Sequence, residues 1–165
     1  LLLEALALLT DADWQHIEAV EIRGGGPMEG LVRERVASLQ AAGKPVELGG
    51  YLAKPEAEAA IVRADWVLIP SRIESIPVVF SDAIKLGRPV VAMPVGDLTR
   101  LIRESPACGL VAEATDASAF ARKLACGLRK STADSFSGLA EVAQRFDLVV
   151  LSRDLASRHG AENHA

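Results

Sequence analysis

Several absences bound this 165-residue chain before any motif is read. It has no run of lysine and arginine, and its formal net charge is −4. Phosphate backbones are gripped by clustered cations, so a nucleic-acid-binding face is not expected. No apolar run approaches the roughly 20 residues needed to span a bilayer. The leucine-rich start, Leu1 to Leu9, lacks a basic flank and is interrupted by Glu4. It reads as the end of a buried helix and not as a signal sequence. There is no initiator methionine, and the chain reads as a piece of a longer one. The two cysteines, Cys108 and Cys126, are too far apart for a CxxC pair. Both are expected to be reduced, buried, small apolar residues, which fits a cytoplasmic location. The three histidines, His16, His159 and His164, show no metal-ligand spacing, and no bound metal is expected. No G-x-S-x-G surrounds Ser71, and there is no internal repeat or dividing linker. One domain over residues 1–159 with a frayed tail at 160–165 is expected.

What the chain does have is alternation. Strands are predicted at Glu18–Arg23, Pro45–Leu48, Asp65–Pro70, Pro89–Met93 and Gly109–Ala112. Helices are predicted at about Glu29–Ala42, Lys54–Arg63, Pro77–Leu86 and from a Thr115 or Asp116 cap to Arg129. Further helical stretches are expected near Ala133–Arg145 and Leu148–Arg158. Gly43 and Gly87 stand where the helices before them should stop. Short apolar strands between amphipathic helices point to an α/β, Rossmann-like, doubly wound parallel sheet buried on both faces. Ligands of such folds bind beyond the carboxyl ends of the strands. The loops to read are therefore Gly24–Met28, Gly49–Ala53, Ser71–Pro77, Pro94–Thr99 and Glu113–Asp116.

The segment Pro70-Ser71-Arg72-Ile73-Glu74-Ser75-Ile76-Pro77-Val78-Val79-Phe80-Ser81-Asp82 is the informative one. Glu74 lies in the loop and Asp82 eight residues on, within the helix that Pro77 opens. Unpaired backbone N–H groups at the helix start, with the helix dipole, suit a diphosphate. The two carboxylates flank that anion site and can accept hydrogen bonds from sugar hydroxyls. Read alone, they could equally be a loop acid and a helix-surface acid. Gly24–Pro27 could be merely a tight turn, and Tyr51 a packing residue instead of a base-stacking one. Arg72 and Arg88 are expected to be solvated, and Arg23 is left open between ligand and surface.

This segment resembles the E-x7-E region of group 1 glycosyltransferases of the GT-B type, which are retaining enzymes. Pro70-Ser71 resembles the family's PS, and Ala83–Ala92 its EAMAxGxPVVA. Gly24–Pro27 resembles GxGP, and Gly49-Gly50-Tyr51 resembles the xGxV turn. The likeness covers about Leu1 to Phe120 and implies the C-terminal, donor-binding half of a GT-B fold. It implies that Glu74 contacts donor-sugar hydroxyls and that Asp82 holds the ribose hydroxyls. The backbone of Ser75, Ile76, Pro77 and Val78, next to Ser71, would take the diphosphate. Gly24, Gly26, Pro27, Gly50 and Tyr51 would line the base site. No cofactor or metal is implied; the substrate would be a UDP- or GDP-type nucleotide sugar. An N-terminal acceptor domain is the implied partner, and a lipid or growing polysaccharide acceptor would bring the parent enzyme to the inner membrane face. The sequence departs from the family at Asp82, one methylene shorter than Glu, and at Ser75, where Gly is common. The family's first strand of this half, with its donor-phosphate Arg and Lys, would precede Leu1.

Other readings are a nucleotide-sugar epimerase on the same architecture and a non-catalytic nucleotide-binding module. No histidine falls in a ligand loop, which counts against the epimerase. An NAD-binding fingerprint fails because Glu29 stands where the third glycine belongs.

Overall fold

In the computed structural model, which describes residues 1–130 and 138–144, short parallel strands alternate with helices. The helices α1 (Leu2–Ala7) and α2 (Asp11–Trp14) come first. There follow β1 (Val20–Arg23), α3 (Glu29–Ala41), β2 (Val46–Gly49), α4 (Lys54–Arg63) and β3 (Val67–Ile69). The chain continues through α5 (Val78–Lys85), β4 (Val90–Ala92), α6 (Leu98–Glu104) and a 3-10 turn at Pro106–Cys108. It closes with β5 (Gly109–Val111), α7 (Ala117–Leu128) and α8 (Leu139–Gln144). The remaining predicted helical residues, the tail, His159 and His164 lie outside the described residues.

Side-chain chemistry explains the element ends. Thr10 starts α2: its hydroxyl accepts the Asp13 N–H, and the Asp13 carboxylate accepts the Thr10 N–H and O–H. Asp116 caps α7 by accepting the Ala119 N–H at 2.8 Å. Gly87, at φ +71, takes the left-handed turn that ends α5.

The α/β class with parallel sheets and flanking helices is as expected, but the sheet is not continuous. β1 pairs with β2, Val20 opposite Val46 and Arg23 opposite Gly49. β3, β4 and β5 form a second sheet in that order, with Val67 opposite Val90 and Val90 opposite Gly109. Doubly wound folds commonly run in strand order 3-2-1-4-5-6. In that order strands 3-2 and 4-5-6 lie on the two sides of strand 1, and the described strands pair in blocks of the same two sizes.

Burial follows the same division. β4 is buried throughout, and around it pack Ile69, Phe80, Ile84, Leu98, Phe120 and Leu124. β1 and β2 are not buried on both faces, contrary to expectation: Glu21, Arg23 and Glu47 are exposed. Charges are costly to bury, and these pair on the open face instead. Arg23 lies 3.2 Å from Glu21 and 3.5 Å from Glu47, and Arg63 of α4 lies 3.5 Å from Glu21. Arg23 thus serves the sheet surface and folds over Gly49. Cys108 is buried as expected, whereas Cys126 is exposed, because α7 turns its neighbours Leu124, Ala125 and Gly127 inward.

Candidate functional site

The carboxyl ends of β1 and β2 carry the two glycine turns, and hydrogen bonds join them. The Gly24 N–H reaches the carbonyls of Gly49 and Gly50, at 3.2 and 3.1 Å. The Tyr51 hydroxyl donates to the Gly25 carbonyl at 2.7 Å. Tyr51 is 81% exposed, so its ring is not packing into the core. It is an aromatic face tethered by its polar tip, beside exposed Gly26, Pro27 and Gly50.

The second cluster follows β3. Ser71 is half-buried, and Arg72, Ile73, Glu74, Ser75 and Ile76 are all exposed. Pro77 is buried and is the residue before the first helical one, φ −62 and ψ 136, not the first helical residue as predicted. Its carbonyl accepts the Phe80 N–H at 3.0 Å. The N–H groups of the first helical residues, Val78 and Val79, have no place in the helical ladder, and they open at the positive end of the α5 dipole. Asp82 is half-buried on the next turn. Among the described residues, neither Glu74 nor Asp82 takes part in a side-chain hydrogen bond or ion pair, so both carboxylates can accept from a ligand.

A third segment touches this loop, and the sequence reading named it only as a ligand-edge loop. In the turn after β4 the Asp97 N–H donates to the Ser75 carbonyl at 3.1 Å. Gly96, at φ +50, lies against the carbonyls of Glu74 and Ser75 so closely that a Cβ would overlap both. The only signal available beforehand was a glycine three residues beyond the predicted strand Pro89–Met93.

The acids after β5 are committed elsewhere. Glu113 pairs with Lys123, whose hydrogen bond first, and backbone N–H second, hold its carboxyl below the usual carboxylate range. Asp116 caps α7. Arg72 is exposed as expected, but Arg88 is half-buried at the amino end of β4, the edge away from the ligand loops. Among the described residues no group of three or more His, Cys, Asp or Glu is placed to hold a metal ion.

Comparison with known proteins bears on the family and the fold. The family described as glycosyl transferases group 1 matches residues 1–130. A putative colanic acid biosynthesis glycosyltransferase, WcaL, of Salmonella typhimurium is 32% identical over 146 residues, covering 82% of this chain and 36% of the relative. Its Escherichia coli counterpart is 31% identical over 150 residues, with the same coverage. The chain therefore spans about a third of the length of these curated relatives. Among solved structures, Anabaena HepE in complex with UDP-glucose superposes with a TM-score of 0.72 at 21% identity, over 97% of this chain and 44% of that one. Sucrose-phosphate synthase from Thermosynechococcus elongatus superposes with a TM-score of 0.55 at 22% identity, over 95% of this chain and 43% of that one. At such identities the likeness is one of fold.

Proposed function

The chain belongs to the glycosyl transferases group 1 family, and from that premise we propose that it is the donor-binding part of a retaining glycosyltransferase. It holds a nucleoside-diphosphate sugar of the UDP or GDP type while a hexosyl group passes to an acceptor carried by an N-terminal domain. The observation that carries this reading is the pair of uncommitted carboxylates, Glu74 and Asp82, on either side of the open N–H groups of α5. The UDP-glucose complex of the structurally similar HepE supports it.

In this reading the diphosphate sits on the backbone of Ser75, Ile76 and Val78, beside Ser71. Its growing negative charge as leaving group is met by the fixed dipole of α5 in place of a metal. Glu74 accepts hydrogen bonds from the sugar as its anomeric carbon becomes oxocarbenium-like. Asp82 accepts the ribose hydroxyls, and its shorter reach than Glu draws the ribose closer to α5. The base lies on Tyr51, over the joined turns at Gly24–Pro27 and Gly50. Exposed Ile73, Ile76 and Val78 form an apolar rim around Glu74, suited to a second domain that closes over the donor and excludes water. The parent enzyme works in the cytoplasm, at the inner membrane face where its acceptor is lipid-borne.

Calorimetric titration separates the two carboxylates. Asp82→Ala should weaken UDP and UDP-glucose alike, by about tenfold or more, the cost of a lost charged hydrogen bond. Glu74→Ala should leave UDP within about twofold and remove the extra affinity contributed by the sugar. Unchanged affinities in both variants would place the pair outside the site.

A further inference from the structure

We propose that the turn after β4, Gly96 with Asp97, is the positioning element that sets where Glu74 and the diphosphate-binding backbone stand, a role that rests on the donor-site reading above. The loop from Arg72 to Ile76 cannot position itself by packing, since every residue in it is exposed and Ile73 is 92% exposed. The turn beside it is anchored on both sides. Met93 and Leu98 are fully buried, Val95 is 6% exposed, and the Leu98 and Leu101 N–H groups bond back to Val95 and Asp97. From this fixed base two contacts reach the loop: the Asp97 N–H on the Ser75 carbonyl, and the bare Cα of Gly96 against the carbonyls of Glu74 and Ser75.

The second contact permits no side chain. A Cβ on Gly96 would overlap both carbonyl oxygens and come within 2.8 Å of the Ser75 carbonyl carbon. What it meets is backbone, which cannot swing aside as a flexible side chain would. At φ +50 the position also favours glycine by conformation. Glycine therefore lets the two loops nest, and the nesting places the Glu74 Cα and the amides that follow it. A side chain at 96 would push the Ser75 carbonyl off the Asp97 N–H and carry Glu74 and the Ser75 and Ile76 amides with it. The base site on Tyr51 belongs to another segment, and the ribose partner Asp82 stands on α5, which buried Pro77, Phe80 and Ile84 hold in place beyond the loop.

The test compares Gly96→Ala with Gly87→Ala, which has similar left-handed geometry at φ +71 but open space around it, at the far end of α5. Each is titrated with UMP and UDP-glucose, and with GMP and GDP-glucose, and amide exchange is followed at Asp97. Gly96→Ala should weaken the diphosphate sugar by about tenfold or more, leave the monophosphate within about twofold, and speed exchange at Asp97, since a displacement near 1 Å is costly at such a site. Gly87→Ala should lower the melting temperature without changing the ratio of the two affinities. A Gly96→Ala chain that keeps both the wild-type ratio and the protected Asp97 amide overturns the positioning role and leaves the donor site standing. A wild-type chain that binds none of the four nucleotides removes the donor site, and the positioning role with it.

Discussion

A carboxylate's surroundings decide what it contributes, and Asp13 and Glu74 stand at opposite ends of that range. Asp13 is 4% exposed, accepts the Thr10 hydroxyl at 2.7 Å and the Thr10 N–H at 3.0 Å, and pairs with Arg129 at 2.7 Å. The Thr10 hydroxyl is the largest influence, and with the Thr10 N–H and Arg129 it holds the carboxyl below its usual range, against a burial effect in the other direction. A folded-state pKa below the unfolded one contributes stability that is complete above the unfolded value of about 3.9 and is lost as pH falls through the folded value. Asp13→Ala should therefore cost about 1–3 kcal/mol at neutral pH. It should also flatten the loss of stability on acidification, seen as melting temperature against pH. An acid limb as steep as that of the wild type would show that Asp13 is not linked to folding. Glu74 is exposed and committed to nothing among the described residues, so its substitution should leave the melting temperature nearly unchanged while altering donor binding.

At the scale of elements, the helices that build the site depend on a few buried or capping side chains. Phe80 is fully buried on α5 between β3 and β4, so Phe80→Ala should cost about 3–5 kcal/mol in denaturant unfolding. Asp116→Ala, which removes the α7 cap, should cost about 1 kcal/mol. Equal effects of the two would mean that α5 is not seated in the core as described. These helices were legible in the sequence because each has its own punctuation: α5 between Pro77 and Gly87, α7 after Asp116, and α4 matching its predicted span of Lys54–Arg63. The short elements α2 and α6 were not. Four and seven residues are too few for an apolar period to stand out, and only Leu98 and Ile102 of α6 are buried. The spacing of Glu74 and Asp82 pointed to the candidate site, since it is local. The clamp of Gly96 on Ser75 and the ion pairs of Arg23 were hidden, because each depends on which distant segments the fold brings together.

Over the whole molecule, stability is concentrated on one side of the break in the sheet. β4 lies between two partners and is fully buried, while among the described residues β1 and β2 pair only with each other and leave Glu21, Arg23 and Glu47 exposed. Native-state amide exchange should accordingly be slowest in Val90–Ala92 and clearly faster in Val20–Arg23 and Val46–Gly49. Uniform protection across both sheets would contradict this division. The same division runs through the site. Tyr51 and the glycine turns stand on the two-stranded sheet, and Glu74, Asp82 and the α5 amides stand on the three-stranded one. In the proposed reading, a nucleotide sugar uses both clusters, with its base at one and its diphosphate and sugar at the other. Such a ligand would tie the two sheets together and raise the protection of the weaker one by mass action. The most direct measurement is calorimetric titration of the wild-type chain with UDP, GDP, ADP and their glucose conjugates. Saturable binding of a uridine or guanosine diphosphate over the adenosine one, tightened by the attached sugar, is the expected result. A folded chain that binds all three bases equally, or none of them, would contradict it.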